Sequence, residues 1–281
     1  MAMSFLSHPD RKLQEQWLRS AKASPISRKA TGSHGAAFSE YAVAPAERVV
    51  PIPIGVTFEQ AAAALLQGMT AHYLSHSAYP IQPGDEVLIH AGAGGTGLLL
   101  TQFAKSRGAR VLTTVSSEEK AELSYQAGAD DVILYTKSDF ADEVKRLTHG
   151  LAAVYDSIGK STFEQSLTCL KARGTLVLYG SASGDVPPLD LMKLASLGSL
   201  YVTRPILRDY TLTRAELLDR AAKVFRAVGS GTLKLRMERK YSLGEAAQAH
   251  RDLESRKTTG KLLLLPSTCC SDGTQKILHA Q

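Results

Sequence analysis

The chain of 281 residues is 44% hydrophobic and 21% charged, with 22 Gly and 11 Pro, which excludes collagen-like, low-complexity and wholly disordered classes. Its three cysteines, Cys169, Cys269 and Cys270, are too few for a disulfide framework or a four-cysteine zinc lobe and point to a reducing, cytoplasmic setting. The net charge of +6 and pI of about 9.2 raise nucleic acid and membrane surfaces as partners, so the charge has to be located along the chain.

Residues 1–34 carry Arg11, Lys12, Arg19, Lys22, Arg28 and Lys29 against Asp10 and Glu15, a net +4, which leaves the rest of the chain close to neutral. This segment has weak apolar spacing (Leu6, Leu13, Trp17, Leu18) and ends in a Gly/Ser-rich run. It reads as an atypical, solvated tail, and Pro25 with the acidic pair argues against a transit peptide. From residue 35 onward the chain alternates apolar β-branched runs with helical patterns. Strands are expected at 86–90, 110–115, 131–134, 152–156, 175–179 and 199–203. Helices are expected from the turn after the first strand through Ser106, then at 117–126, 140–147 and 162–170. That order gives an α/β fold, a doubly wound parallel sheet of the Rossmann type. The longest apolar stretches, 61–66 and 262–265, are too short to span a bilayer. After Pro266, residues 267–281 are polar and patternless and read as a second tail.

The run His90-Ala-Gly-Ala-Gly-Gly-Thr-Gly97 contains G-x-G-x-x-G as Gly92, Gly94 and Gly97, directly after a strand and opening a helix. Glycine is needed there for the tight turn, for close approach of the backbone to a pyrophosphate, and for packing of helix on strand. The helix N-terminus then offers free N–H groups and the positive end of its dipole to the phosphates. At the end of the second strand, where an NAD-preferring site would place a carboxylate against the ribose, stand Ser116 and Ser117, with Lys120 one turn on. A small hydroxyl beside an ammonium suits a 2′-phosphate, so NADPH is expected over NADH. Glu118 and Glu119 are expected to face solvent. Of the eight histidines, His72 and His76 have a metal-ligand spacing, but no third ligand accompanies them, and a packed or surface pair is expected.

Several segments together resemble a known family. They are Ala93-Gly-Gly-Thr-Gly97, Val115-Ser-Ser-Glu-Glu-Lys120, Val154-Tyr-Asp-Ser-Ile-Gly159 and Gly198-Ser-Leu-Tyr-Val-Thr-Arg-Pro205, supported by Phe58-Glu-Gln-Ala-Ala-Ala63, Gly68-Met-Thr-Ala71 and Leu253-Glu-Ser-Arg256 near Gly260-Lys261. From about residue 35 to 266 the chain is similar to the zinc-independent NADPH:quinone oxidoreductases, the zeta-crystallin-like branch of the medium-chain dehydrogenases/reductases. The resemblance implies that Gly94, Gly95, Thr96 and Gly97 hold the pyrophosphate, with Ala93 also at the cofactor, and Ser116 with Lys120 the 2′-phosphate. It places Thr70 on the nicotinamide side of the pyrophosphate and Tyr135 against the adenine. Tyr179, Gly180 and Ser181 would meet the carboxamide, and Val202, Thr203, Arg204 and Arg256 would also lie at the cofactor. No metal ligand and no catalytic acid is assigned. Catalytic zinc in this superfamily needs cysteine and histidine early in the chain, and no cysteine precedes Cys169.

The family's N-terminal β-rich domain, similar to the chaperonin-10 fold, is recognisable only in part, as Gly35 to Val43 and Val49 to Pro53. The expected organisation is an atypical segment at 1–34, a remnant of the catalytic β domain at 35–65, an NADPH-binding Rossmann domain at 66–205, a segment returning to the catalytic domain at 206–266, and the tail at 267–281. The expected function is hydride transfer from NADPH to a quinone or related activated carbonyl, in a homodimer paired through the strand near 200–203. Reduction of an α,β-unsaturated carbonyl is the neighbouring alternative. A dinucleotide-binding module with little or no activity is the rival from another class. RNA binding is disfavoured by the near-neutral body.

Overall fold

The computed structural model describes residues 44–255 and 258–266. The expected N-terminal tail, the segment 35–43, Arg256 and the tail at 267–281 lie outside the described residues. The first long element, helix α1 (Phe58–Tyr73), starts at a capping box in which Thr57 Oγ1 accepts from the Gln60 amide at 3.1 Å and Gln60 Oε1 accepts from the Thr57 amide at 2.9 Å. The box satisfies two N–H groups that a helix start leaves without partners. A single π turn, Leu74–Ala78, ends the helix.

Six parallel strands follow, β1 (Glu86–Ile89), β2 (Arg110–Val115), β3 (Asp131–Leu134), β4 (Leu151–Asp156), β5 (Leu170–Leu178) and β6 (Tyr201–Thr203), in the spatial order β3-β2-β1-β4-β5-β6. Between them run α2 (Gly95–Ser106), α3 (Glu118–Gln126), α4 (Phe140–Leu147), α5 (Phe163–Thr168) and α6 (Leu191–Ser196). Alternate residues of the strands enter separate cores. Val87, Ile89, Val111, Ala153, Tyr155 and Val177 pack with α1, α2 and α7 (Arg214–Gly229), whereas Leu88, Leu112, Ile133, Val154, Leu176 and Leu178 pack with α4 and α5. This period of two, buried on both faces, is why the strands read as continuous apolar runs. Each fully buried leucine contributes about 2 kcal/mol through removal of its surface from water.

Several boundaries differ from the sequence expectation. The helix expected to reach Leu170 stops at Thr168, because the Cys169 carbonyl accepts from the Leu151 amide at 2.9 Å and turns the chain into the sheet. Strand β5 therefore begins at Leu170, with an irregular register before Ala153 and Arg173 at φ 62°. Strand β6 starts at Tyr201 rather than Ser199, since Ser199 sits in the left-handed region at φ 57° and cannot be extended. Beyond β6, α7 packs along α1, which itself runs unbroken across residues 65–66. A separate parallel pair, β7 (Met237–Ser242) with β8 (Lys261–Leu265), is joined through α8 (Ala246–Glu254). Gly260, just before β8, forms a backbone bridge with Gly94.

Candidate dinucleotide site at the carboxyl ends of the strands

The strand order reverses between β1 and β4, and the crevice outside the carboxyl ends at such a reversal is where open α/β sheets take ligands. The glycine turn occupies that position. It is fastened by Gly92 N–H to Thr114 O at 3.1 Å and by Gly94 N–H to Ala91 O at 2.9 Å. Ala91 adopts φ 53°, a left-handed conformation that a residue with a side chain takes only where its surroundings enforce it. The turn leaves no space for side chains at its crossings. A Cβ on Gly92 would stand 2.5 Å from Thr113 Cβ, and one on Gly97 would overlap the Ala91 carbonyl oxygen and stand 2.9 Å from Gly92 O. Helix α2 begins there, and its first-turn amides at Thr96 and Gly97 donate to no backbone carbonyl among the described residues. A bare cradle of outward-facing amides at a positive dipole end fits a dinucleotide diphosphate.

Beneath the turn, His90 is buried and ties three elements together. Its Nδ1 lies 2.9 Å from Thr114 Oγ1 and its Nε2 3.0 Å from Ser166 Oγ, while the ring edge meets Phe140 at 4.8 Å between centroids. Burial pushes its pKa down, so it stays neutral and one ring nitrogen donates. In the next strand over, Asp156 Oδ1 accepts from the amides of Ile158 at 2.7 Å and Gly159 at 3.0 Å, and its Oδ2 accepts from Thr162 Oγ1 at 2.8 Å. These bonds shape the Val154 to Gly159 segment that the sequence singled out.

Ser116 follows β2 directly, with its carbonyl accepting from Thr136 Oγ1 at 3.2 Å, so the ends of β2 and β3 are held side by side. Ser117 caps α3, accepting the Lys120 amide at 3.4 Å. Glu118 and Glu119 are exposed, and Glu118 is drawn aside into an ion pair with Lys137. Tyr135 ends β3 beside Ser116 and is 55% exposed, an aromatic face open to a ligand. On the other side of the reversal, Tyr179, Gly180 and Ser181 continue β5, and Val202 and Thr203 with Arg204 end β6. Arg204 Nη1 donates to Leu178 O at 3.2 Å and joins these two ends.

Thr70 stands on α1 midway between Gln67, whose amide group lies against Gly95, and Tyr73, whose hydroxyl donates to Pro205 O at 3.4 Å. Residues three apart share a helix face, so Thr70 is carried on the stripe that spans from the glycine turn to the end of β6. The fold thus brings all the described candidates to one edge of the sheet. Two further participants were not anticipated, Ala91 and Gln67, while Gly260 and Lys261, named in sequence only within a family segment, are set against the turn. The left-handed Ala91 has no signature in residue type, and the place of Gln67 depends on how α1 docks.

His72 and His76 are stacked, with centroids 4.1 Å apart, and both meet Phe103 edge-on. Arg220 Nη1 donates to His72 Nδ1 at 2.8 Å, and His76 Nδ1 bonds Ser75 Oγ and His72 O. Burial holds both below their ordinary value, His72 at about 3 and His76 at about 4. The pair is packing, as expected. Residues 95–223 match the zinc-binding dehydrogenase family, yet among the described residues no three His, Cys, Asp or Glu side chains gather into a metal-holding group. The described donors form no zinc site.

The chain is similar to a quinone oxidoreductase of Pseudomonas aeruginosa, at 44% identity over 239 residues, covering 84% of this chain and 73% of that protein. A 2-haloacrylate reductase from a Burkholderia species is 41% identical over 235 residues, covering 82% and 71%. The crystal structure of the Escherichia coli quinone oxidoreductase, complexed with NADPH, superposes with a TM-score of 0.79 at 41% identity, covering 82% of this chain and 72% of that one. Identity at this level, over a stretch that takes in the glycine turn and the central sheet, establishes that the chain belongs to the quinone oxidoreductase family of medium-chain dehydrogenases/reductases.

Proposed function

We propose that this protein is an NADPH-dependent oxidoreductase that passes hydride to a quinone or a related activated carbonyl. The observation that carries the reading is the glycine turn at the sheet's reversal point, with Ser116 rather than a carboxylate in the first position after β2 and Lys120 one turn further on, Glu118 being drawn into its ion pair with Lys137. NADPH bound there supplies the hydride, and the residues of the chain bind, orient and select. The amides of Gly95, Thr96 and Gly97 hold the diphosphate, with Ala93 and Gly94 shaping the approach. Ser116 and Lys120 hold the 2′-phosphate, where a carboxylate would repel it. Tyr135 lies against the adenine. Thr70, Tyr179, Gly180, Ser181, Val202, Thr203 and Arg204 orient the nicotinamide end. Positioning is the main contribution of such a scaffold, because hydride transfer needs donor and acceptor about 3–3.5 Å apart in an aligned geometry.

A substrate with an activated carbon–carbon double bond is the second reading, supported by the 41% identity to the 2-haloacrylate reductase. Both readings are tested by titrating the protein with NADPH and following its oxidation with 9,10-phenanthrenequinone, a 1,4-quinone and a 2-haloacrylate. Tight binding without oxidation by any of them would leave a dinucleotide-binding module instead. No helix among the described residues is long and apolar enough to cross a membrane, and the three cysteines agree with a cytoplasmic setting. We also propose a homodimer. Strand β6 is the sheet edge, Tyr201 on it is 61% exposed, and Leu191 and Met192 nearby in sequence are 73% and 71% exposed. An edge strand with apolar neighbours is a template for pairing with its symmetry mate.

A further inference from the structure

The segment that follows β2 carries carboxylates of its own. From Ser116 to Lys120 the chain sets Glu118 and Glu119 against the single ammonium of Lys120, a net charge of −1. That balance opposes a phosphate monoester, which itself carries close to two negative charges near neutral pH. The third strand supplies a further cation. Tyr135, Thr136 and Lys137 follow β3 in one short turn, which Lys137 closes by donating its amide to Leu134 O at 2.9 Å. The Tyr135 amide donates to Val115 O at 3.2 Å and Thr136 Oγ1 to Ser116 O at 3.2 Å, so this turn is clasped to the end of β2. From it the Lys137 ammonium reaches the Glu118 carboxylate at the start of α3. Other carboxylates around the turn are engaged elsewhere. Asp139 accepts from the Ala141 and Asp142 amides at the start of α4, and Glu122 accepts from Gln126 Nε2.

The ion pair has little to do for the fold. The Lys137 and Glu118 side chains are 66% and 71% exposed, and pairs that exposed contribute little to stability. Its consequence lies in the charge beside Ser116, which Lys137 brings from negative to neutral. We propose that Lys137 is a specificity-determining residue, offsetting the Glu118 carboxylate so that the 2′-phosphate of NADPH is admitted beside Ser116 and Lys120. This rests on the 2′-phosphate reading above. NADH presents an uncharged hydroxyl at the same place and does not respond to the pair. The choice of nucleotide is then made by two strands. The end of β2 supplies the groups that touch the phosphate, and the turn after β3 supplies the cation that keeps their neighbour from repelling it.

The test titrates the full chain with NADPH and NADH, followed by fluorescence, at an ionic strength low enough for a Debye length of about 30 Å. Lys137→Gln should weaken NADPH about fivefold and leave NADH within about twofold. The double variant Lys137→Gln/Glu118→Gln has the same local charge as the wild type, so its NADPH affinity should return to within about twofold of the wild-type value. Glu118→Gln alone should tighten NADPH about threefold, and it reads the same effect even if Lys137→Gln does not fold. A role in holding the fold would weaken both nucleotides and would not be reversed by removing Glu118. Unchanged NADPH affinity in K137Q, equal losses for the two nucleotides, no restoration in the double variant, or no gain in E118Q would each overturn the proposal. Wild-type protein with no preference for NADPH, or Lys120→Ala with equal losses for both nucleotides, would instead overturn the 2′-phosphate reading on which it rests.

Discussion

Replacing Gly97 with alanine tests the glycine turn at its tightest point. The new Cβ would overlap the Ala91 carbonyl oxygen and press on Gly92 O at 2.9 Å and Gly92 Cα at 3.0 Å. All three are backbone atoms of the same turn, so no side chain can rotate away. Ala91 is already left-handed at φ 53°, and its carbonyl accepts the Gly94 amide at 2.9 Å, so retreat of that oxygen loosens the turn itself. Overpacking of this kind costs about 1–3 kcal/mol. Exchange of glycine for alanine in a helix returns about 1 kcal/mol, which leaves a net loss of up to about 2 kcal/mol. The larger effect is on binding, because a displacement approaching 1 Å at positioned groups costs about a hundredfold. Gly229→Ala is the control: a Cβ there meets nothing within 4 Å at the end of α7, and a gain of about 0.5–1 kcal/mol is expected with NADPH affinity unchanged. Urea unfolding and fluorescence titration of NADPH read both quantities. A Gly97→Ala protein as stable as wild type, binding NADPH within threefold, would refute this reasoning.

Three further outcomes are expected. Lys120→Ala should weaken NADPH about 10- to 100-fold while leaving NADH within twofold, and equal losses for the two would remove Lys120 from the 2′-phosphate. Acid should destabilise the fold earlier than carboxylate titration alone would. His72, His76 and His90 are held neutral with folded pKa values below 6.5, so the unfolded chain binds more protons, and stability present above pH 6.5 is lost as pH falls toward about 4 for His76 and about 3 for His72. Each histidine contributes a slope of at most about 1.4 kcal/mol per pH unit, less for the more exposed His76. Urea midpoints at pH 7, 6 and 5 should therefore fall steadily, and a flat profile would contradict the role of burial. Sedimentation should show twice the chain mass for the wild type and a shift toward monomer in Tyr201→Lys, and a wild-type monomer at micromolar concentration would end the dimer proposal.

The central sheet was legible because its strands are buried on both faces, so Val87 to Ile89, Val111 to Val115 and the whole of β4 announce themselves as apolar runs. The dinucleotide turn was legible because Gly97 is confined by backbone atoms of the turn and Gly92 by the packed side chain of Thr113, so neither leaves room for a Cβ. The ends of elements were harder. Cys169 surrenders its carbonyl to the sheet and Ser199 takes a left-handed turn, and neither event has a mark in residue type. Helix α7 did carry a signal, the Thr213 and Glu216 capping box, but its apolar face is intelligible only against α1. Lys261 stands in the sequence only as part of a family segment. Its burial arises from the bridge between Gly260 and Gly94 and from the docking of α1, contacts between segments more than 160 residues apart in the chain.

Hydride transfer itself is tested most directly by stopped-flow absorbance of the NADPH-loaded protein mixed with 9,10-phenanthrenequinone. The expected result is a loss of reduced-nicotinamide absorbance that saturates with quinone concentration and is abolished by Gly97→Ala at sub-saturating NADPH. Stable absorbance from fully bound NADPH, in the presence of that quinone, a 1,4-quinone and a 2-haloacrylate, would contradict it.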